Sequence, residues 1–170
     1  LGLQTANYKT LAKINRGHTT AEYVDAMMML RDYPFRVCTH VILDLPGIRW
    51  KTRSKQPNSY PLPGPMKQAP RPVHHKKYGH AEWYAKGEIS LFTCEEYVRR
   101  VVAFLEYSRP DIVFQRLIGR APKEATDFAN WGMGWWRIRD MIDEELERRD
   151  TRQGALCDYL HGKAVRKFMT

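Results

Sequence analysis

The chain has 170 residues, 43% of them hydrophobic. That is enough for one domain with a real core and too apolar for overall disorder. No run of about 18 apolar residues occurs, which excludes a transmembrane helix. The net charge of +9 invites a nucleic-acid partner, but the excess is local. Eight of the 28 Lys and Arg, and no Asp or Glu, fall in residues 48–79, leaving 20 basic against 19 acidic residues elsewhere.

Residues 1–5 alternate, with Leu1, Leu3 and Thr5 on one side and Gly2 and Gln4 on the other, the pattern of a strand. Asn7 is placed to cap a short helix carrying Leu11 and Ile14, which Gly17 would end. Thr19 and Glu22 form a capping box ahead of "AEYVDAMMMLRDY", and Pro34 stops that helix. "FRVCTHVILDLPG" is a dense β-branched run closed by Pro46 and Gly47 and reads as a buried strand. In it Val37, Thr39, Val41 and Leu43 share the face suited to helix packing, and Cys38, His40, Ile42 and Asp44 share the other.

Residues 48–79 break this order. They hold six of the ten prolines and follow neither a 3.6 nor a 2 period. A shifted reading frame across an ordinary βα stretch would produce such a segment; a genuine basic insertion is the alternative. Order resumes with "HAEWYAKGEIS". Thr93 and Glu96 make a second capping box, and the helix after it places Tyr97, Val98, Val101, Val102 and Leu105 on one face. "DIVFQRLIG" reads as another buried strand. "WWRIRDMIDEELERRD" is a last amphipathic helix, with Trp135, Ile138, Met141, Ile142 and Glu145 spaced by three and four. The aromatic run "WGMGWW" could stack bases; at the start of an amphipathic helix it reads as core. Strand, helix, strand, helix, strand is the order of a parallel α/β sheet or barrel.

The stretches "LGLQTANYKTLAKINRGH", "VILDLPG", "WYAKGEISLFTCEEYVRRVVAFLE", "DIVFQRLIGRAP" and "IDEELERRDTRQG" together resemble the C-terminal half of the YhcC-like radical SAM proteins. These are relatives of the radical SAM part of the Elongator catalytic subunit and of oxygen-independent coproporphyrinogen III oxidase. The resemblance implies an α/β fold, the C-terminal part of a partial (β/α)6 barrel with a disordered or irregular insert. It divides the chain into residues 1–47 (barrel), 48–79 (irregular basic segment), 80–157 (radical SAM C-terminal region) and 158–170 (polar tail). It also implies a [4Fe-4S] cluster and S-adenosylmethionine (SAM) at the mouth formed by the C-terminal strand ends. There SAM would be cleaved reductively to a 5′-deoxyadenosyl radical, the substrate being unread. The family's cluster is held by three closely spaced cysteines. Here Cys38, Cys94 and Cys157 lie far apart, so on this reading the chain is a fragment whose cluster-binding half lies upstream. The isolated cysteines point to a reducing, cytoplasmic setting without membrane attachment. An RNA-binding module built on the basic residues 49–77 and an inactive truncated fragment are the competing readings.

SAM presents a carboxylate, an ammonium and a ribose. A planar guanidinium suits the first, and amides or carboxylates suit the others. In the coproporphyrinogen oxidase-like pattern a Gln ends one strand and an Arg follows on the next helix; Gln4 and Arg16 match those positions by resemblance. Read alone, Arg16 is also a solvated cation at a helix end. His40 is either a residue of the barrel lumen near the ribose or a satisfied core histidine. Gln115 and Arg116 face opposite ways by parity, so one of them, taken as Gln115, enters the lumen; an ion pair behind the sheet is the alternative. His74, His75 and His80 form no convincing metal set, and Cys38 and Cys94 read as buried thiols.

Overall fold

The structure is a computed structural model, and it describes residues 1–34, 36–43, 45, 66–68, 83, 86–87, 90, 92–119 and 130–157. Three short strands, β1 (Gly2–Gln4), β2 (Thr39–Val41) and β3 (Met66–Gln68), form one parallel sheet in the order β1-β2-β3. Parallel neighbours require crossovers. The first of these carries α1 (Tyr8–Lys13) and α2 (Thr20–Leu30). Gly2 lies in register with His40, and Gln4 with Val41, with an irregularity between them. Thr39, His40 and Val41 then register with Met66, Lys67 and Gln68.

The two-residue alternation decides which face of the sheet is covered. Leu3, Thr5, Thr39, Val41 and Leu43 are buried. Gly2, Gln4, Cys38 and Ile42 are half-buried, and His40 is exposed. The covered face packs into one apolar cluster with Tyr23 and Met27 of α2 and with the two C-terminal helices. A hydrogen bond of 2.5 Å between the Tyr23 hydroxyl and Thr39 Oγ1 ties α2 to β2. Burial of the ring pushes the Tyr23 phenol up in pKa, and the Thr39 contact opposes it.

The helix N-termini follow from the capping boxes. Thr19 Oγ1 accepts from the Glu22 amide while Glu22 Oε2 accepts from the Thr19 amide at 2.6 Å. Thr93 and Glu96 repeat the arrangement at the start of α3 (Cys94–Tyr107). All five positions expected on the apolar face of α3 are buried. They meet Ile138 and Ile142 of α4 (Trp135–Arg148), which are 0% and 1% exposed. Trp131 closes one end of this seam: its indole donates to the Phe92 carbonyl at 2.7 Å, and its ring lies 5.3 Å from that of Tyr97. At the other end residues 151–157 cross the C-terminus of α3. The Gly154 and Leu156 amides donate to the Leu105 and Glu106 carbonyls, satisfying acceptors that a helix end leaves open. Arg149 bridges Glu106 and Glu145 beside them. No helix among the described residues is long and apolar enough to cross a membrane.

Three expectations are revised. The run "DIVFQRLIG" is no strand; residues 112–119 make a single bridge, at Phe114. Ile112, Phe114, Leu117 and Ile118 reach the core cluster. The Tyr97 hydroxyl donates to the Leu117 carbonyl at 2.6 Å, drawing the segment onto α3 by a side chain instead of a β ladder. Met66–Gln68 forms a strand inside the segment that shows no strand pattern. The rest of 48–79, apart from those three residues, lies outside the described residues, as does 158–170. The aromatic run divides: Trp131 packs on the core, whereas Trp135 and Trp136 are exposed.

Candidate functional site

β1 ends in an unusual turn. Gln4 takes a left-handed backbone, with φ of 64°, and the Thr5 amide donates to the Leu3 carbonyl across it at 2.8 Å. A non-glycine residue in such a γ-turn is strained, by about 1–3 kcal/mol. The turn lies at the C-terminal end of a parallel strand, where α/β folds place ligands.

Arg16 is delivered to the same point by the end of α1. Asn7 Oδ1 caps that helix by accepting from the Thr10 amide at 3.2 Å. Asn15, and not Gly17, is the first left-handed residue after the helix, with φ of 49°. The Asn15 amide donates to the Ala12 carbonyl and the Arg16 amide to the Leu11 carbonyl, both at 3.0 Å. This pair of bonds is a Schellman motif, and it reverses the chain so that Arg16 turns back toward β1. Asn is one of the few residues that adopts the left-handed form at modest cost. Gly17, with φ of 77°, continues the reversal and brings His18 alongside.

The three side chains converge on Gly2. Arg16 Nη2 donates to the Gly2 carbonyl at 3.2 Å, and His18 Nε2 lies 2.8 Å from the same oxygen. A Cβ at Gly2 would stand 2.5 Å from Gln4 Nε2 and 2.7 Å from Arg16 Nη2. The bare glycine is therefore the floor of a small cradle bearing an amide and a guanidinium. Arg16 Nε is buried and has no hydrogen-bond partner among the described residues. A buried, unpaired N–H on a cation is costly and calls for an acceptor. Nε and Nη2 form one edge of the guanidinium, the edge that matches the two oxygens of a carboxylate.

His40 is the register neighbour of Gly2 on β2 and stands on the exposed side of the alternation. It therefore shares the cradle's face of the sheet, about 4.8 Å away across the ladder. Gln115 lies outside any strand and is exposed, as is Arg116. The parity argument that turned Gln115 toward the lumen and Arg116 away from it does not apply, because the segment bearing them is no strand. His18 escaped the sequence reading, since it lies 16 residues from Gly2 and nothing local announces the contact.

Among the described residues no group of three or more His, Cys, Asp or Glu is placed to hold a metal ion. Cys94 is buried, and that burial pushes its thiol up to about 11, the reverse of what a thiolate ligand needs. Cys38 and Cys157 are half-buried and unpaired with any other cysteine. These residues do not fit an iron–sulfur cluster. The Gln4–Arg16 cradle does fit the carboxylate end of an amino acid. His74, His75 and His80 lie outside the described residues, as do residues 49–77 apart from Met66–Gln68.

Residues 80–148 match the family model of the Radical_SAM C-terminal domain. An uncharacterized protein of Methanocaldococcus jannaschii is 33% identical over 167 residues, covering 91% of this chain and 49% of the relative. YtqA of Bacillus subtilis, also uncharacterized, is 30% identical over 169 residues, 97% of this chain and 52% of the relative. YhcC of Escherichia coli is 26% identical over 157 residues, 92% and 51% of the two chains. The chain thus spans about half the length of the curated relatives it matches. Among solved structures, Elp3 of Methanocaldococcus infernus with an N-terminal deletion superposes with a TM-score of 0.74 at 18% identity. That match covers 90% of this chain and 36% of the other and is a likeness of fold. The resemblance to YhcC-like radical SAM proteins is borne out, and the α/β architecture with it.

Proposed function

We propose that Gln4 and Arg16 hold the amino-acid end of SAM in a radical SAM enzyme of which this chain forms a part. The observation that carries the reading is the buried Nε of Arg16, without a partner among the described residues, in a cradle floored by a residue with no side chain. Arg16 offers its Nε/Nη2 edge to the carboxylate. The Gln4 amide, held over Gly2 by the left-handed turn, bonds the ammonium through its carbonyl oxygen. His40, on the same face one strand across, stands toward the ribose. SAM bound beside a reduced [4Fe-4S] cluster supplies a 5′-deoxyadenosyl group for hydrogen abstraction; the chain's own residues bind, orient and shield it. The cluster's ligands are assigned to the part of the parent outside this chain. The substrate class stays open.

Calorimetric titration of the full-length gene product with SAM under anaerobic conditions tests the assignment. Arg16→Ala should weaken binding about tenfold or more, through loss of a charge-assisted bidentate contact. Arg148→Ala should leave it unchanged, because Arg148 is 68% exposed and paired with Glu145 on α4. Equal affinities for the two variants remove Arg16 from the site.

A further inference from the structure

We propose that His18 is a positioning residue for the SAM carboxylate, keeping the Gly2 carbonyl bonded while Arg16 turns to the ligand; this rests on the reading of Arg16 given above. The Gly2 carbonyl has two donors within reach, Arg16 Nη2 at 3.2 Å and His18 Nε2 at 2.8 Å. The Arg16 contact is at the long end of the normal range, and the His18 contact is the better of the two. Arg16 thus spends an Nη2 contact on its own backbone, while the neighbouring Nε has no partner among the described residues.

A carboxylate drawn onto the Nε–H and Nη2–H edge pulls on a Gly2 contact that is already long, at 3.2 Å, and weakens it. Without a second donor that weakening would leave a partly buried carbonyl poorly bonded, and the ligand's gain would be offset by the loss. His18 removes the penalty. Its Nε2 faces the Gly2 carbonyl, while Nδ1, 3.2 Å from the carbonyl of Thr19, the N-cap of α2, has no proton to give it when Nε2 carries the hydrogen. The Nε2–H form of the ring makes the Gly2 bond. Left-handed Gly17 immediately before it aims the ring back at β1. His18 touches no ligand in this scheme and acts through the Gly2 carbonyl and Arg16.

The test compares two probes on the full-length protein under anaerobic conditions: SAM, and decarboxylated SAM, which keeps the sulfonium, amine and adenosine. His18→Ala should weaken SAM binding roughly tenfold and leave decarboxylated SAM nearly unaffected. His18→Gln, which restores an N–H donor, should recover most of the SAM affinity. If the alanine variant fails to fold, His18→Met, of similar bulk without a donor, gives the same comparison. Equal losses for the two probes would mean a general structural role, and no loss for either would mean no role; both overturn the proposal. A wild-type protein that binds the two probes equally well overturns the carboxylate assignment of Arg16 itself, a failure distinct from that of His18.

Discussion

Replacing Gly2 with alanine adds one methyl group to the floor of the cradle. The consequences for folding and for binding should diverge. Gly2 is not among the left-handed glycines, so alanine fits its backbone. Restricting the unfolded chain in this way favours folding by about 0.4–1 kcal/mol. Against this, the new Cβ would lie 2.5 Å from Gln4 Nε2 and 2.7 Å from Arg16 Nη2, where 3.4–4 Å is ordinary contact. Both groups must therefore withdraw, by roughly 1 Å, a shift on the scale that disrupts oriented binding. They are the far ends of flexible side chains on the face of the sheet turned away from the core, so the withdrawal costs the fold little. Stability should stay within about 1 kcal/mol of wild type, while SAM affinity of the full-length protein falls about tenfold or more as the amide and guanidinium lose their alignment. Thermal melts and calorimetric titration on the same samples measure both. Unchanged SAM affinity would refute the cradle; a collapse in melting temperature would show that Gly2 serves the fold and not the site.

Two further outcomes concern the helical half. Ile142→Ala should destabilise by about 2–5 kcal/mol, because Ile142 is 1% exposed in the α3–α4 seam; Val113→Ala, at a 62% exposed position, should stay within about 0.5 kcal/mol, and denaturant titration of the pair checks both. Glu145 accepts from Arg148 and then Arg149, and these bonds hold its carboxyl down to about 2, below its ordinary 4.5. The folded value lies under the unfolded one, so this contribution is complete above about pH 5 and is lost as the pH falls toward 2. With Arg148 68% exposed, solvent screening reduces it to about 1 kcal/mol. Glu145→Gln should flatten the acid limb of stability over that window, and coincident curves for the two proteins would sink the assignment.

Much of the helical framework was legible because it is written in neighbouring residues. Thr19 with Glu22, and Thr93 with Glu96, specify helix starts through bonds that span three residues. The alternation from Cys38 to Leu43 assigned the two faces of β2 from parity alone, and the spacing of Val98, Val101, Val102 and Leu105 found the buried stripe of α3. Gln4 and Arg16 were found by resemblance; their meeting over Gly2 was not readable.

What only the tertiary structure decided involves partners far apart in sequence. Met66–Gln68 joins the sheet by backbone pairing with Thr39–Val41, and a ladder of N–H and C=O groups leaves no mark in side-chain pattern. Residues 112–119 have the composition of a strand, yet a single phenol, that of Tyr97, takes up the Leu117 carbonyl and helps hold the segment against α3. His18 reaches Gly2 because Asn15 and Gly17 are both left-handed. The sequence by itself determined caps, faces and periods, since those depend on energies acting within one or two turns. The site depends on a chain reversal and a strand end arriving at one point, and no local energy specifies that meeting.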